Sequence, residues 1–210
     1  LAKGLIIAGI SKKVLLLTSE TYSKHMHPRD KGNRTIFGDA ATATLISDIG
    51  YAEICEFSLG TDGRGANNLM VKSGAFRFPD RFHDLTFDTD GNPVSSDYLY
   101  MNGGEVFNFT AEAVPPLIEC TLIKNNLIKD DIDLFVFHQA NKYMINYLRK
   151  LIEIESEKFY YCIEKFGNTV SSTIPIALKE ARRESRLNGN ILIAGFGVGY
   201  SWGATVLKVV

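Results

Sequence analysis

Three short segments carry side chains suited to holding negative charge on a reacting oxygen. His138 and Asn141 stand in the run His138-Gln139-Ala140-Asn141, and Asn168 follows Gly167 in Gly167-Asn168-Thr169. A glycine-rich run, Gly195-Phe196-Gly197-Val198-Gly199-Tyr200-Ser201-Trp202-Gly203, completes the set. A neutral imidazole N–H and a carboxamide N–H both donate hydrogen bonds, the amide at any pH. Glycines allow backbone N–H groups to approach a ligand closely. Each segment has a plainer reading by itself. His138 fits a packed or capping residue, Asn168 a turn residue or helix N-cap, and the glycines a hairpin; a lone glycine-rich loop is weak evidence for a site. Their joint occurrence at equivalent places is what points to chemistry.

Those places are strand ends. Residues 132–137 (IDLFVF) read as a strand ending at His138, residues 159–163 (FYYCI) as one leading to Asn168, and residues 191–194 (ILIA) as one ending at the glycine run. In open α/β sheets, ligands bind outside the carboxyl ends of strands. Residues 142–152 and 172–185 read as intervening helices, with Pro175 tolerated in the first turn of the second, and residues 204–209 as a last strand. This rhythm predicts an α/β sheet covered by helices. Upstream, residues 13–19 (KVLLLTS) form an apolar run expected of a sheet buried on both faces. Residues 40–47 and 51–59 alternate as two more strands, with Asp48-Ile49-Gly50 as the turn. From 60 to 97 the pattern gives way to Gly, Asn, Asp and Pro with scattered Phe, the mark of a functional, partner-contacting or partly disordered loop. Ser96 or Asp97 is expected to cap a helix running past Met101 and Phe107, and Pro115-Pro116 to open a further helical turn toward Asn125. Residues 1–9 read as the tail of an amphipathic helix closed by Gly9, which predicts that material upstream of Leu1 was removed or was never included.

Composition narrows the function. With 23 Lys and Arg against 24 Asp and Glu over 210 residues, the net charge of −1 leaves no basic surplus for phosphates and argues against a nucleic-acid binder. The three cysteines, Cys55, Cys120 and Cys162, fit neither a disulfide framework nor a zinc pattern. The expectations are therefore no metal, a reducing cytoplasm, and no membrane, because no apolar run reaches the ~18 residues of a span.

The three segments, together with Phe37-Gly38-Asp39-Ala40-Ala41 and Met101-Asn102-Gly103-Gly104-Glu105-Val106-Phe107, resemble in order the signature series of the β-ketoacyl-acyl carrier protein synthase III family. The resemblance implies an α/β, thiolase-like fold layered α-β-α-β-α with mixed sheets, truncated at the N-terminus. Residues 1–53 would be a remnant of the first thiolase-like half, and 54–210 the second half carrying the His and Asn. It implies an acyltransferase of fatty-acid or related acyl-chain biosynthesis. Such an enzyme condenses acyl-CoA with malonyl-acyl carrier protein, loses CO2 and gives 3-oxoacyl-acyl carrier protein. It uses no cofactor, acyl-CoA being a substrate, and is usually a homodimer.

By the same resemblance His138 and Asn168 are paired donors to the malonyl carbonyl. The Val198 N–H, between Gly197 and Gly199, serves a second oxyanion site. Asn141 hydrogen-bonds the pantetheine arm, Lys31 lies near the adenine, and Phe37 and Phe196 line the substrate pocket. The family's nucleophilic cysteine falls upstream of Leu1. Cys55, Cys120 and Cys162 read as small buried hydrophobes rather than activated thiolates, so the chain alone is expected to form no acyl-enzyme. Lys142, Arg149 and Lys150 read equally as a docking patch for an acidic carrier protein or as a solvated helix face. Two rival readings stand: a polyketide, chalcone or hydroxymethylglutaryl-CoA synthase-like enzyme, and a noncatalytic subunit or pseudoenzyme offering a dimer or carrier-docking surface. The latter has no physical need for His138 and Asn168.

Overall fold

The computed structural model describes residues 1–209. Strands β1 (Lys13–Glu20) and β2 (Ala40–Ser47) form a two-stranded antiparallel sheet, Lys13 opposite Ser47 and Glu20 opposite Ala40. Helix α1 (Ala2–Ile7) lies against both strands. A second, mixed sheet has the order β3-β11-β10-β9, with β4 also on β11. Its members are β3 (Ala52–Ile54), β4 (Ser58–Thr61), β9 (Leu134–Phe137), β10 (Gly189–Gly197) and β11 (Ser201–Val209). Only the β9–β10 pair is parallel. Two small ribbons pair β5 (Leu69–Met70) with β8 (Tyr100–Met101) and β6 (Thr86–Phe87) with β7 (Pro93–Val94). The helices are α2 (Gly103–Lys124), α3 (Lys142–Leu151), α4 (Ile163–Phe166) and α5 (Thr173–Arg183).

The period-2 geometry of a strand explains how β9 organises the core. All four of its residues are buried. Phe135 and Phe137 point into a cluster with Val114, Ile118 and Leu122 of α2 and Ile145 and Leu148 of α3. Leu134 and Val136 point the other way, against Ala177 and Ala181 of α5. The sheet is thus covered on both faces. Burying each large side chain contributes about 1.5–3 kcal/mol, so β9 and the residue that follows it are rigidly held.

Several expectations are corrected. Residues 51–59 are not one strand hairpinned to β2. They split into β3 and β4 and join the other sheet, so Asp48-Ile49-Gly50 is a crossing between sheets rather than a hairpin turn. The split arises because the Asn125 carboxamide captures the backbone of Glu56: Oδ1 accepts its N–H at 2.9 Å and Nδ2 donates to its carbonyl at 3.1 Å. Residues 159–163 also make no regular strand. They touch β9 through one bridge, Phe135–Phe159. Beyond it the Cys162 N–H donates to the Gln139 side chain at 3.0 Å, and a side-chain acceptor ends the ladder.

Helix α2 is capped by Asn102, whose Oδ1 accepts from Glu105 N–H. Asp97 instead accepts from the N–H groups of Phe82 and His83. Pro115 and Pro116 lie inside α2, not at a new start. Buried Val114, Leu117 and Ile118 flank them, and that packing offsets the lost backbone hydrogen bonds. At 22 residues α2 is also long and apolar enough to cross a membrane by length and composition, contrary to the expectation of no such run; here it packs on the core of the sheet.

Strand β1 is not buried on both faces. Leu15, Leu16 and Leu17 are exposed, and because successive strand residues face opposite ways, both faces of the two-stranded sheet are left partly uncovered among the described residues. Residues 60–97 hold a 3-10 turn, Gly63–Asn68, and three of the short strands.

Candidate active site

The carboxyl ends of β9 and β10 open into a cavity of about 400 Å³ whose walls include Phe37, His138, Asn141, Asn168, Phe196 and Val198. The sequence segments meet here.

His138 is the first residue past β9. Its backbone N–H still donates to the Ala194 carbonyl of β10 at 2.8 Å, which fixes where the side chain leaves the sheet. The ring meets Phe196 edge-on, with centroids 5.6 Å apart. Its Nδ1 lies 2.7 Å from Oγ1 of Thr173, at the start of α5. Burial withdraws the ring from water and disfavours its charged form, moving its pKa down to about 4. The imidazole is therefore neutral at physiological pH. Gln139, next in line and fully buried, braces the turn: Nε2 donates to the Phe137 carbonyl at 2.8 Å and Oε1 accepts from Cys162 N–H.

Asn168 is positioned by the first part of the chain. Its backbone N–H donates to the Ile36 carbonyl at 2.8 Å, and its carbonyl accepts from Gly38 N–H at 2.9 Å. This close approach explains two glycines. A Cβ on Gly38 would overlap the Phe166 carbonyl oxygen, and Gly167 sits at φ +70°, ψ −168°, a conformation essentially confined to glycine. The Asn168 Oδ1 accepts the Val170 N–H at 2.9 Å. That bond sets the amide's orientation and leaves Nδ2 without a protein partner among the described residues. Val170 pays for the turn with φ +54°, a left-handed conformation unfavourable for a β-branched residue. The hydroxyl of Thr173 reaches the Val170 carbonyl at 3.0 Å. His138 and Asn168 are thus linked through Thr173 and Val170, each with one side-chain nitrogen, Nε2 and Nδ2, free of protein partners among the described residues.

The glycine run is the tip of the β10–β11 hairpin, Gly197 opposite Ser201. Val198 is 42% exposed at that tip, and its N–H has no partner among the described residues. Behind it Tyr200 stacks on Phe109 with centroids 4.0 Å apart and accepts a hydrogen bond from Asn68 Nδ2 at 2.7 Å. Gly197 lines the cavity and Gly199 does not. Asn141 lines it while its Oδ1 caps α3, accepting from Met144 N–H at 2.8 Å. Phe37 stacks on Tyr22 at 5.0 Å.

Other candidates lie elsewhere. Lys31 is exposed and outside the cavity wall. Lys142 is ion-paired with Glu164. Arg149 donates inward to the Ile154 carbonyl at 2.7 Å, which leaves Lys150 as the exposed cation of the three without a partner among the described residues. None of the three cysteines lines the cavity. Cys162 is buried with its thiol pushed up to about 11, chiefly by desolvation, and Cys55 is half-buried and also raised by burial. Cys120, expected inside, is exposed because it lies on the outer side of α2. Sequence reasoning missed Thr173 and Gln139. A threonine at a helix start reads as an ordinary cap, and a glutamine between His138 and Ala140 carries no periodic signal.

Residues 1–63 match the profile described as 3-oxoacyl-[acyl-carrier-protein (ACP)] synthase III, and residues 122–209 match that of its C-terminal part. The chain belongs to the 3-oxoacyl-[acyl-carrier-protein] synthase III family. A family relative from Clostridium perfringens, named beta-ketoacyl-[acyl-carrier-protein] synthase III, is 35% identical over all of this chain and 63% of its own length. A crystal structure of a 3-oxoacyl-(acyl-carrier-protein) synthase III superposes with TM-score 0.92 at 44% identity, covering 99% of this chain and 63% of that one. The synthase III of Thermus thermophilus gives TM-score 0.84 at 33% identity, with 99% and 62% coverage. The fold is the mixed α/β, thiolase-like fold of these synthases. The chain spans about 63% of the length of the synthase III relatives it matches.

Proposed function

We propose that this chain supplies the decarboxylation and oxyanion half of a synthase III active site. The full-length enzyme condenses acyl-CoA with malonyl-acyl carrier protein, and its product is a 3-oxoacyl-acyl carrier protein. The supporting observation is the pair of neutral donors, His138 and Asn168, held in one cavity and braced from behind. Loss of CO2 from a malonyl thioester moves two electrons onto the thioester oxygen. Two uncharged N–H donors stabilise that enolate without a proton transfer that would quench it. The enolate carbon then attacks an acyl thioester.

The acyl group's cysteine is not Cys55, Cys120 or Cys162, which lie outside the cavity with thiols buried or remote. In this reading Val198 N–H, at the hairpin tip, assists the acyl-transfer oxyanion, and Asn141 meets the pantetheine arm. Phe37 and Phe196 bound the substrate.

The test is condensation in the full-length enzyme. His138→Ala and Asn168→Ala should each lower turnover about 100- to 1000-fold, the worth of one oxyanion donor, with acyl transfer to the cysteine retained. Radiolabelled acyl-CoA should leave no covalent label on the 210-residue chain itself. Unimpaired condensation in both variants, or a labelled chain, overturns the reading.

A further inference from the structure

Thr173 is the first residue of α5 and is buried. Its hydroxyl stands between two acceptors, Nδ1 of His138 at 2.7 Å and the Val170 carbonyl oxygen at 3.0 Å. A hydroxyl carries one proton, so two arrangements compete. If the proton goes to the carbonyl, Nδ1 must carry the ring's own proton, and Nε2 is left a bare acceptor. If it goes to Nδ1, the ring proton sits on Nε2, which becomes a donor. Which ring nitrogen is protonated is set by the bond the other one makes.

Two features favour donation to the ring. The Val170 carbonyl already accepts the backbone N–H of Thr173, so it keeps a partner when the hydroxyl turns away. The contact to Nδ1 is also the shorter of the two, and an imidazole nitrogen is a far stronger base than an amide oxygen. A ring buried on that side has no other donor for Nδ1 among the described residues.

We infer that Thr173 is a positioning residue: its hydroxyl donates to Nδ1 of His138 and fixes the imidazole as the Nε2–H tautomer, the form that can donate to a substrate oxygen. The inference deepens the proposed function and rests on it for its catalytic meaning, but the tautomer itself is a property of the chain. The arrangement also explains why the Asn168 loop takes its strained turn at Val170. The same turn that orients the Asn168 amide brings Thr173 under the ring, so one loop sets both donors.

The experiment is long-range 1H–15N NMR of the histidine rings in the 210-residue chain at neutral pH, with the His138 signals assigned by their loss in His138→Asn. The wild-type ring should show a protonated Nε2 and an unprotonated, hydrogen-bonded Nδ1. Thr173→Ser should keep that pattern, and Thr173→Val should shift it toward a mixture of tautomers. In the full-length enzyme Thr173→Val should lower turnover about tenfold, the worth of one hydrogen bond to the ring, with KM little changed and Thr173→Ser restoring it. A protonated Nδ1 in the wild-type chain, or a Thr173→Val ring identical to wild type, overturns the inference. An Nε2–H ring together with undiminished condensation in His138→Ala would leave the tautomer standing and remove the proposed function instead.

Discussion

Replacing Gly167 by alanine isolates the backbone device that places Asn168. Gly167 has φ +70° and ψ −168°, and a Cβ there would stand 3.0 Å from the Ile36 carbonyl oxygen and 3.4 Å from the Gly38 nitrogen. Forcing an L-residue into this region costs about 1–3 kcal/mol, and the Ile36 oxygen has little freedom to retreat because it accepts the Asn168 N–H. Together they set a destabilisation of about 2–3 kcal/mol for Gly167→Ala. In urea denaturation of the chain that is a midpoint lowered by about 1 M at unchanged slope. The control is Gly103→Ala, in the first turn of α2, where a Cβ meets nothing within 4 Å. It should be neutral or stabilising by a few tenths of a kcal/mol. The Asn168 carboxamide resonances should also move in Gly167→Ala and stay in Gly103→Ala. A Gly167→Ala chain within about 0.5 kcal/mol of wild type, with Asn168 undisturbed, would show that the 36–38 contact does not hold the loop.

Three further outcomes are expected. His138 prefers to be neutral in the folded chain, with a pKa near 4 against 6.5 when unfolded. The unfolded chain therefore binds more protons between those values, and the stability this contributes is complete above pH 6.5 and lost as pH falls toward 4. Denaturation at pH 5 should find about 2 kcal/mol less stability than at pH 7.5, and His138→Asn should flatten that difference; equal slopes in both proteins would contradict it. A thiol reagent should modify exposed Cys120 first, half-buried Cys55 slowly and Cys162 only on unfolding, with mass spectrometry of the labelled peptides as the check. If the end of α3 meets an acidic carrier protein, Lys150→Glu should weaken carrier binding at low salt and not at high salt, whereas Lys142→Glu should also break the Glu164 pair and lower stability slightly. Unchanged affinity for Lys150→Glu would remove the carrier from that surface.

What was legible in the sequence follows from how local the determining forces are. Strand β2 and helices α3 and α5 were readable because period and burial coincide there. His138 and the glycine hairpin lie at the strand ends expected of them because strand ends are marked by composition, whereas Asn168 follows the short helix α4 rather than a strand. Most of the failures share one cause: a side chain far along the chain takes up a group that looked free. Asn125 captures Glu56 and breaks the strand expected over 51–59. Gln139 captures Cys162 and ends the one expected over 159–163. Glu164, 22 residues from Lys142, neutralises a charge that looked free. Asn102 and not Asp97 caps α2, because Asp97 is occupied by Phe82 and His83. Cys120 was misplaced for a simpler reason: helix α2 mixes apolar and small residues around its circumference, so its facing is not encoded in type alone.

These long-range captures are also what makes the site rigid. His138 is held at its backbone by β10 and at its ring by Thr173 and Phe196. Asn168 is held at both backbone groups by residues 36–38 and at its amide by Val170. A donor aimed at a charge that exists only during reaction is effective when it does not have to reorganise as the charge appears. Each of these two side chains has one polar atom bonded to the protein and one nitrogen, Nε2 or Nδ2, without a partner among the described residues. That asymmetry distinguishes the pair from buried structural residues such as Gln139, whose carboxamide is spent on the protein through both its oxygen and its nitrogen.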